Sequence, residues 1–203
     1  MQPYYKNTNM KSDSAVLITA AGLSGRMGIP KALLKWDSEM NFLQKIIATY
    51  SDFVCREIIV TLNEDTFDYF KAFSTSPVHF ILNLNPEFER MHSIQLGLKA
   101  IKSSSYCFIQ AIDNPFIETK LLEEMYLYKA TDTYIAPTYQ GKSGHPILIN
   151  ESIIETICQM EVQKQQLNEV LQQFPRKAIA VEHPEILYNI NTLEEYQKLM
   201  FGF

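Results

Sequence analysis

Residues 15–21 read AVLITAA, a run with no polar face to turn toward water, which suits a strand buried on both sides of its sheet. Such a strand needs helices above and below it. The sequence supplies them, because helix-period segments alternate with further strand-length runs. Strands are expected at 57–62 (EIIVTL), 78–82, 106–112 (YCFIQAI), 133–136, 147–149 and 178–181. Helices are expected around 40–50, 64–73, 92–102 and 121–126, and from Thr192 onward. In the first of these, Phe42, Leu43, Ile46, Ile47 and Tyr50 share one face; in the last, Thr192 and Glu195 have capping-box spacing. This alternation predicts an α/β chain with three α/β/α layers and a mostly parallel sheet. No Gly/Ser/Pro linker or repeat divides it, so one domain is expected over residues 15–203, after a flexible polar leader at 1–14.

Composition removes several classes of function. The chain has 203 residues, with 18 Lys+Arg against 23 Asp+Glu and a formal charge of −5, which argues against a nucleic-acid binder. No apolar run approaches the roughly 20 residues of a membrane span, and residues 1–14 lack the apolar core of a secretory signal. A cytoplasmic protein is expected. Cys55, Cys107 and Cys158 lie far apart in apolar surroundings without CxxC spacing, so they read as buried free thiols rather than a disulfide or zinc site. The aromatics Phe67, Tyr69, Phe70 and Phe73 read as a packed helix, and Gln163–Gln166 as a solvated helix face.

In an open α/β sheet, ligands bind outside the carboxyl ends of the strands. The informative loops therefore follow residues 21, 112 and 136. The first reads Ala20-Ala21-Gly22-Leu23-Ser24-Gly25-Arg26-Met27-Gly28-Ile29-Pro30-Lys31. Its glycines free the backbone to curl its amides into an oxyanion nest. Arg26 and Lys31 add full charges, the first able to clamp a phosphate through two parallel bonds. Between Ala20 and Trp36 there are three basic side chains and no acid, the reverse of the whole chain. The spacing is neither GxGxxG nor GxxxxGK[ST], which disfavours a dinucleotide-binding dehydrogenase and a P-loop ATPase. After the 106–112 strand comes Asp113-Asn114-Pro115. A carboxylate there is placed to share Mg²⁺ with phosphates, and it also fits a helix N-cap with Pro115 in the first turn.

The Ala20–Lys31 segment resembles the AAGxSxRMGxPK signature of nucleotidyltransferases that move NMP from an NTP, most of all the molybdenum cofactor cytidylyltransferase and guanylyltransferase group (MobA/MocA-like). The resemblance implies a Rossmann-like, nucleotide-diphospho-sugar transferase-like fold, a loop from Ala20 through Leu23, Ser24 and Gly25 wrapped around the nucleotide, and Arg26 and Lys31 on its phosphates. It implies that Asp113, in the family's D-x-P motif, binds Mg²⁺ (or Mn²⁺). Asn189-Ile190-Asn191-Thr192-Leu193-Glu194-Glu195 resembles the family's [DN]-I-[DN]-T-P-E-[DE] segment, giving Asn191 as second metal ligand and Asn189 as reserve. Both are amides where cytidylyltransferases tend to carry aspartates, and Leu193 replaces the usual proline. Residues 85–98 resemble NPxWxxGMxxSLxxGL, shortened by about two residues, with Ser93 on the base; the glycine before Met91 is missing, and His92 reads as a loop or helix-start residue. Residues 139–146 match YxGxxGHP, which implies that Gly144, His145 and Pro146 organise the acceptor. The GDxGxRxLL element is not recognisable at residues 161–168.

The resemblance implies Mg²⁺-dependent transfer of NMP from an NTP to a small phosphorylated acceptor, with release of pyrophosphate. CTP is the favoured donor from the Gly-His-Pro element and GTP the second from Asn-Ile-Asn-Thr. Molybdopterin is the favoured acceptor, a sugar or polyol phosphate the alternative. A protein partner that delivers or receives the product is compatible with such an enzyme. A third reading, from another class, is a weakly catalytic nucleotide-binding partner or chaperone with the same fold.

Overall fold

The structure is a computed structural model describing residues 13–23, 27–161 and 166–202. Its strands are β1 (Ser14–Ala20), β2 (Glu57–Leu62), β3 (Val78–Leu82), β4 (Tyr106–Ala111), β5 (Tyr134–Tyr139), β6 (Lys142–Ser143), β7 (Ile147–Asn150) and β8 (Arg176–Ala180). They form one sheet in the order β3-β2-β1-β4-β7-β5-β6, with β8 beside β5. β1 lies parallel to both β2 and β4, β2 to β3, and β5 to β8. The β7 strand runs antiparallel to β4 and β5. The sheet is thus mostly parallel on the β1 side and mixed beyond β4.

The helices are α1 (Phe42–Asp52), α2 (Glu64–Phe70), α3 (Glu89–Leu98), α4 (Thr119–Leu127), α5 (Glu151–Gln159), α6 (Leu167–Leu171) and α7 (Leu193–Phe201). Every residue of β1 is buried, as its sequence predicts. Alternate side chains of a strand face opposite ways. Val16 and Ile18 join a core with α1, α4 and α7, whereas Ala15 and Leu17 join a second core with α3, α5 and α6. These are the two covering layers. At Gly97 the covering is closest: a Cβ there would run into the Leu17 side chain, so α3 lies against β1 only because that position has none.

Three local differences from the sequence expectations have physical causes. The third helix begins at Glu89 rather than His92, because a 3₁₀ turn at Pro86–Phe88 feeds straight into it. β5 runs on to Tyr139 and turns back into β6 through Gln140 (φ 48°) and Gly141 (φ 79°), the paired positive φ angles of a tight hairpin. Tyr69 and Phe73 are exposed while Phe70 is buried, so the α2 aromatics are only partly a packed face. The expected capping box Thr192–Glu195 on α7 is formed, and α1 carries another at Asn41–Gln44. Cys55, Cys107 and Cys158 are free thiols, with Cys158 half-buried. Residues 1–12, Ser24, Gly25, Arg26 and Gln163–Gln165 lie outside the described residues. Among the described residues no helix is long and apolar enough to cross a membrane.

Candidate functional site

The chain runs outward from β1 to β2 and β3, then returns to place β4 on the other flank of β1. Where the order reverses, the loops after β1 and β4 separate and open a crevice. A cavity of about 300 Å³ occupies that place. It is lined at the exit of β1 by Ala20, Ala21 and Gly22, by Lys31, Arg90, Ser93 and Asp113, and by Asn191. Leu23 does not line it and is 61% exposed.

Asp113 sits on a turn fixed from several sides. Gln110, fully buried on β4, donates from Nε2 to the carbonyls of Ala111 and Asn114, each at 2.8 Å, and accepts from the Tyr50 hydroxyl at 3.2 Å. Burial holds the Tyr50 phenol well above its ordinary pKa, so it remains a donor. Asn114 is also fully buried and donates to the carbonyls of Glu185 and Ile186, both at 3.1 Å. The Ile190 amide donates to the Asp113 carbonyl at 2.8 Å. These bonds bring residues 185–191 against the β4 exit and so deliver Asn191. The helix N-cap alternative for Asp113 does not hold, because α4 starts at Thr119 with Glu118 before it.

The Lys31 ammonium meets Asn191 Oδ1 at 2.9 Å and Asp113 Oδ2 at 3.4 Å. Three segments distant in sequence converge on one cation. Asn189 is exposed and does not line the cavity. The two converging oxygens are hard donors, one charged, which is the partial set that Mg²⁺ or Mn²⁺ takes when phosphates and water complete its shell. Among the described residues no group of three or more His, Cys, Asp or Glu could hold a metal by itself. A divalent ion fits here as one shared with a ligand.

Ser93 lies on the cavity side of α3 and is buried. Its hydroxyl accepts from Asn83 Nδ2 at 2.9 Å, while Asn83 Oδ1 accepts the Asn85 amide at 2.9 Å. The second bond fixes which end of the Asn83 amide donates. The Ser93 proton is therefore left for an acceptor in the cavity. On the opposite lip, Asn63 Nδ2 donates to the Gly22 carbonyl at 3.4 Å and steadies the loop where it leaves β1.

Gly144, His145 and Pro146 lie outside the cavity lining but are tied to the segment that Asn114 holds. The His145 amide donates to the Ile186 carbonyl at 3.0 Å, the same carbonyl that Asn114 reaches. A Cβ on Gly144 would collide with that carbonyl and with the Ile186 side chain. Burial lowers the His145 pKa to about 4, with Arg90 adding to the shift and Asp113 opposing it. The imidazole is neutral at pH 7, and its buried Nδ1 has no hydrogen-bond partner among the described residues. His92, by contrast, stacks edge-on against Phe88 at 5.5 Å.

Sequence reasoning missed Arg90, Asn83, Asn63 and Gln110. Gln110 had a readable signal, since an amide in the middle of YCFIQAI must find partners once buried. Arg90 was hidden by the misplaced start of α3. With Glu89 as first residue, Arg90 falls three positions before Ser93, on the same helix face.

The fold is that of the nucleotidyltransferases with nucleotide-diphospho-sugar transferase architecture, and the enzyme class follows from its relatives. The chain belongs to the MobA-like NTP transferase domain family, whose model matches residues 16–179. It is similar to the molybdenum cofactor cytidylyltransferase of Escherichia coli (strain K12), at 26% identity over 186 residues, 89% of this chain and 92% of that protein. It is equally similar, at 26% identity over 207 residues, to a probable molybdenum cofactor guanylyltransferase of Clostridium perfringens (strain SM101 / Type A), covering 94% and 97% of the two. Among solved structures, Rv0371c of Mycobacterium tuberculosis H37Rv shares the fold with a TM-score of 0.79 at 15% identity, over 94% of this chain and 99% of that one. A structure of that protein with manganese gives 0.75 at 14% identity, over 94% and 99%.

Proposed function

We propose that this nucleotidyltransferase moves CMP from CTP to the phosphate of molybdopterin, with GTP as the second choice of donor. The observation that carries the reading is the meeting of Lys31, Asp113 and Asn191 beside the Ala20–Gly22 main chain, in a cavity at the switch point. In this reading the base lies between residues 20–22 and the Ser93 hydroxyl, which donates to a ring oxygen or nitrogen. Lys31 holds the triphosphate together with Arg26, which lies outside the described residues.

The acceptor phosphate oxygen attacks the α-phosphorus, a new P–O bond forms, and the α–β bridging bond breaks to release pyrophosphate. The nucleophile is already an anion, so no strong base is needed. The obstacle is repulsion, since unit charges about 4 Å apart interact by about 4 kcal/mol at an effective dielectric of 20. Lys31 counters that repulsion and stabilises the charge that grows on the phosphates. Asp113 and Asn191 would hold a divalent ion, whose contribution is charge neutralisation on the phosphates. The pinned turn at residues 110–114 keeps Asp113 in place, so no reorganisation accompanies the step.

The test is pyrophosphate release from each of the four NTPs with Mg²⁺ and molybdopterin. CTP should give the fastest release. Release with a polyol or sugar phosphate but not with molybdopterin would reassign the acceptor. CTP binding with no release for any acceptor would replace the enzyme reading with that of a nucleotide-binding partner protein.

A further inference from the structure

We infer that Arg90 is the residue that receives the acceptor's phosphate, a specificity determinant lining the same cavity as Lys31. The inference rests on the nucleotidyl-transfer reading above and names the group that the reading lacks. Transfer brings two anions together, so each needs a cation of its own. Among the described residues lining the cavity the full positive charges are Lys31 and Arg90. Lys31 is bonded to Asp113 and Asn191, the wall assigned to the donor.

Arg90 lines the cavity from α3, and the Gly144–Pro146 corner lies outside that lining. That corner supplies no charge, because its imidazole is neutral at pH 7. Arg90 is close enough to influence that imidazole and also Asp113. Arg90 is an exposed residue in the cavity lining, accessible to a ligand entering from solvent, and as an arginine it stays charged at any physiological pH. A guanidinium grips a phosphate through two parallel N–H bonds, a geometry that Lys does not reproduce. The motif that residues 85–98 resemble has a glycine before its methionine, and in this chain Arg90 stands there, immediately before Met91.

The test uses the full chain saturated with Mg²⁺ and α,β-methylene-CTP, which fills the donor side without reacting. Inorganic phosphate is then titrated as the acceptor-side probe by calorimetry, for wild type, Arg90→Gln and Arg90→Lys. Glutamine suits a helix, and thermal unfolding checks that both variants are folded. The expected result is phosphate binding weakened at least 10-fold in Arg90→Gln and by an intermediate factor in Arg90→Lys, with analogue affinity changed less than 3-fold. In turnover, the acceptor KM should rise at least 10-fold while the CTP KM stays within 3-fold. Phosphate affinity unchanged in Arg90→Gln, or analogue affinity lost in its place, would overturn the assignment, as would a wild-type complex that binds no phosphate. A wild type that fails to bind the analogue at all would overturn the underlying nucleotidyl-transfer reading, and is seen before any phosphate is added.

Discussion

The two ends of the central sheet each carry a carboxylate, and they are treated in opposite ways. Glu57 opens β2 at the amino end, where it is buried and accepts four bonds: from the amides of Lys102 (2.9 Å) and Ser103 (3.1 Å) and the hydroxyls of Ser103 (3.3 Å) and Ser104 (2.7 Å). Desolvation raises its pKa, but those bonds outweigh it and leave the group more acidic than usual. Asp113 follows β4 at the carboxyl end, with its side chain 27% exposed and Lys31 as its ion-pair partner. The backbone around Asp113 is as firmly tied as that around Glu57. Only the side chain is left open. A carboxylate saturated by its own chain holds the fold together; one whose turn is rigid but whose side chain stays partly exposed beside Lys31 is available to a ligand.

Substitutions that keep shape and remove charge separate the two roles. The largest effect is expected for Asp113→Asn: at least about 100-fold lower kcat for pyrophosphate release, on the scale of losing one electrostatic group in an active site, with an unfolding midpoint in urea close to wild type. A large loss of stability there would erase the contrast with Glu57. Next comes Lys31→Ala, for which steady-state kinetics should show a higher NTP KM and a kcat reduced by roughly 10-fold, or about 1.4 kcal/mol. Normal kinetics would remove Lys31 from the phosphates. Glu57→Gln should do the reverse of Asp113→Asn, costing about 1–3 kcal/mol in urea unfolding, because amides and hydroxyls of residues 102–104 lose a charged acceptor. Its CTP KM should not change.

The pH-dependent prediction concerns His145. Its folded pKa of about 4 lies below the ordinary value of 6.5, so as pH falls through that window the unfolded chain takes up a proton that the folded chain refuses. Stability contributed above pH 6.5 is then lost toward pH 4, at up to about 1.4 kcal/mol per pH unit. Urea unfolding of His145→Asn across the same window should show a shallower decline than wild type. Equal slopes would mean that the imidazole is not held neutral by the fold.

Much of this contrast is legible in the sequence, and for identifiable reasons. The apolar run of β1 and the strand–helix alternation reveal the layers because burial on both faces leaves no room for polar residues. The loop after β1 announces itself through glycines and cations in an acidic chain. Asp113 is readable because it ends an apolar strand. Other features depend on contacts that no local pattern encodes. Asn191 reaches the cavity because Asn114 and the Asp113 carbonyl capture residues 185–190, some 70 positions downstream. Arg90 faces the cavity only because the 3₁₀ turn at Pro86–Phe88 starts α3 a turn earlier than its apolar periodicity suggests. The antiparallel β7 is short and apolar, and its direction is set by pairing with β4 rather than by composition.

The central claim is that the loop after β1, Lys31 and Asp113 face one triphosphate at the carboxyl end of the sheet. The most direct measurement is the anomalous scattering of manganese in crystals grown with a non-reacting CTP analogue. The predicted result is a metal peak at the Asp113 and Asn191 side chains, with the triphosphate beside it against residues 20–22 and Lys31. A nucleotide seated elsewhere, or a metal peak away from Asp113, would contradict it.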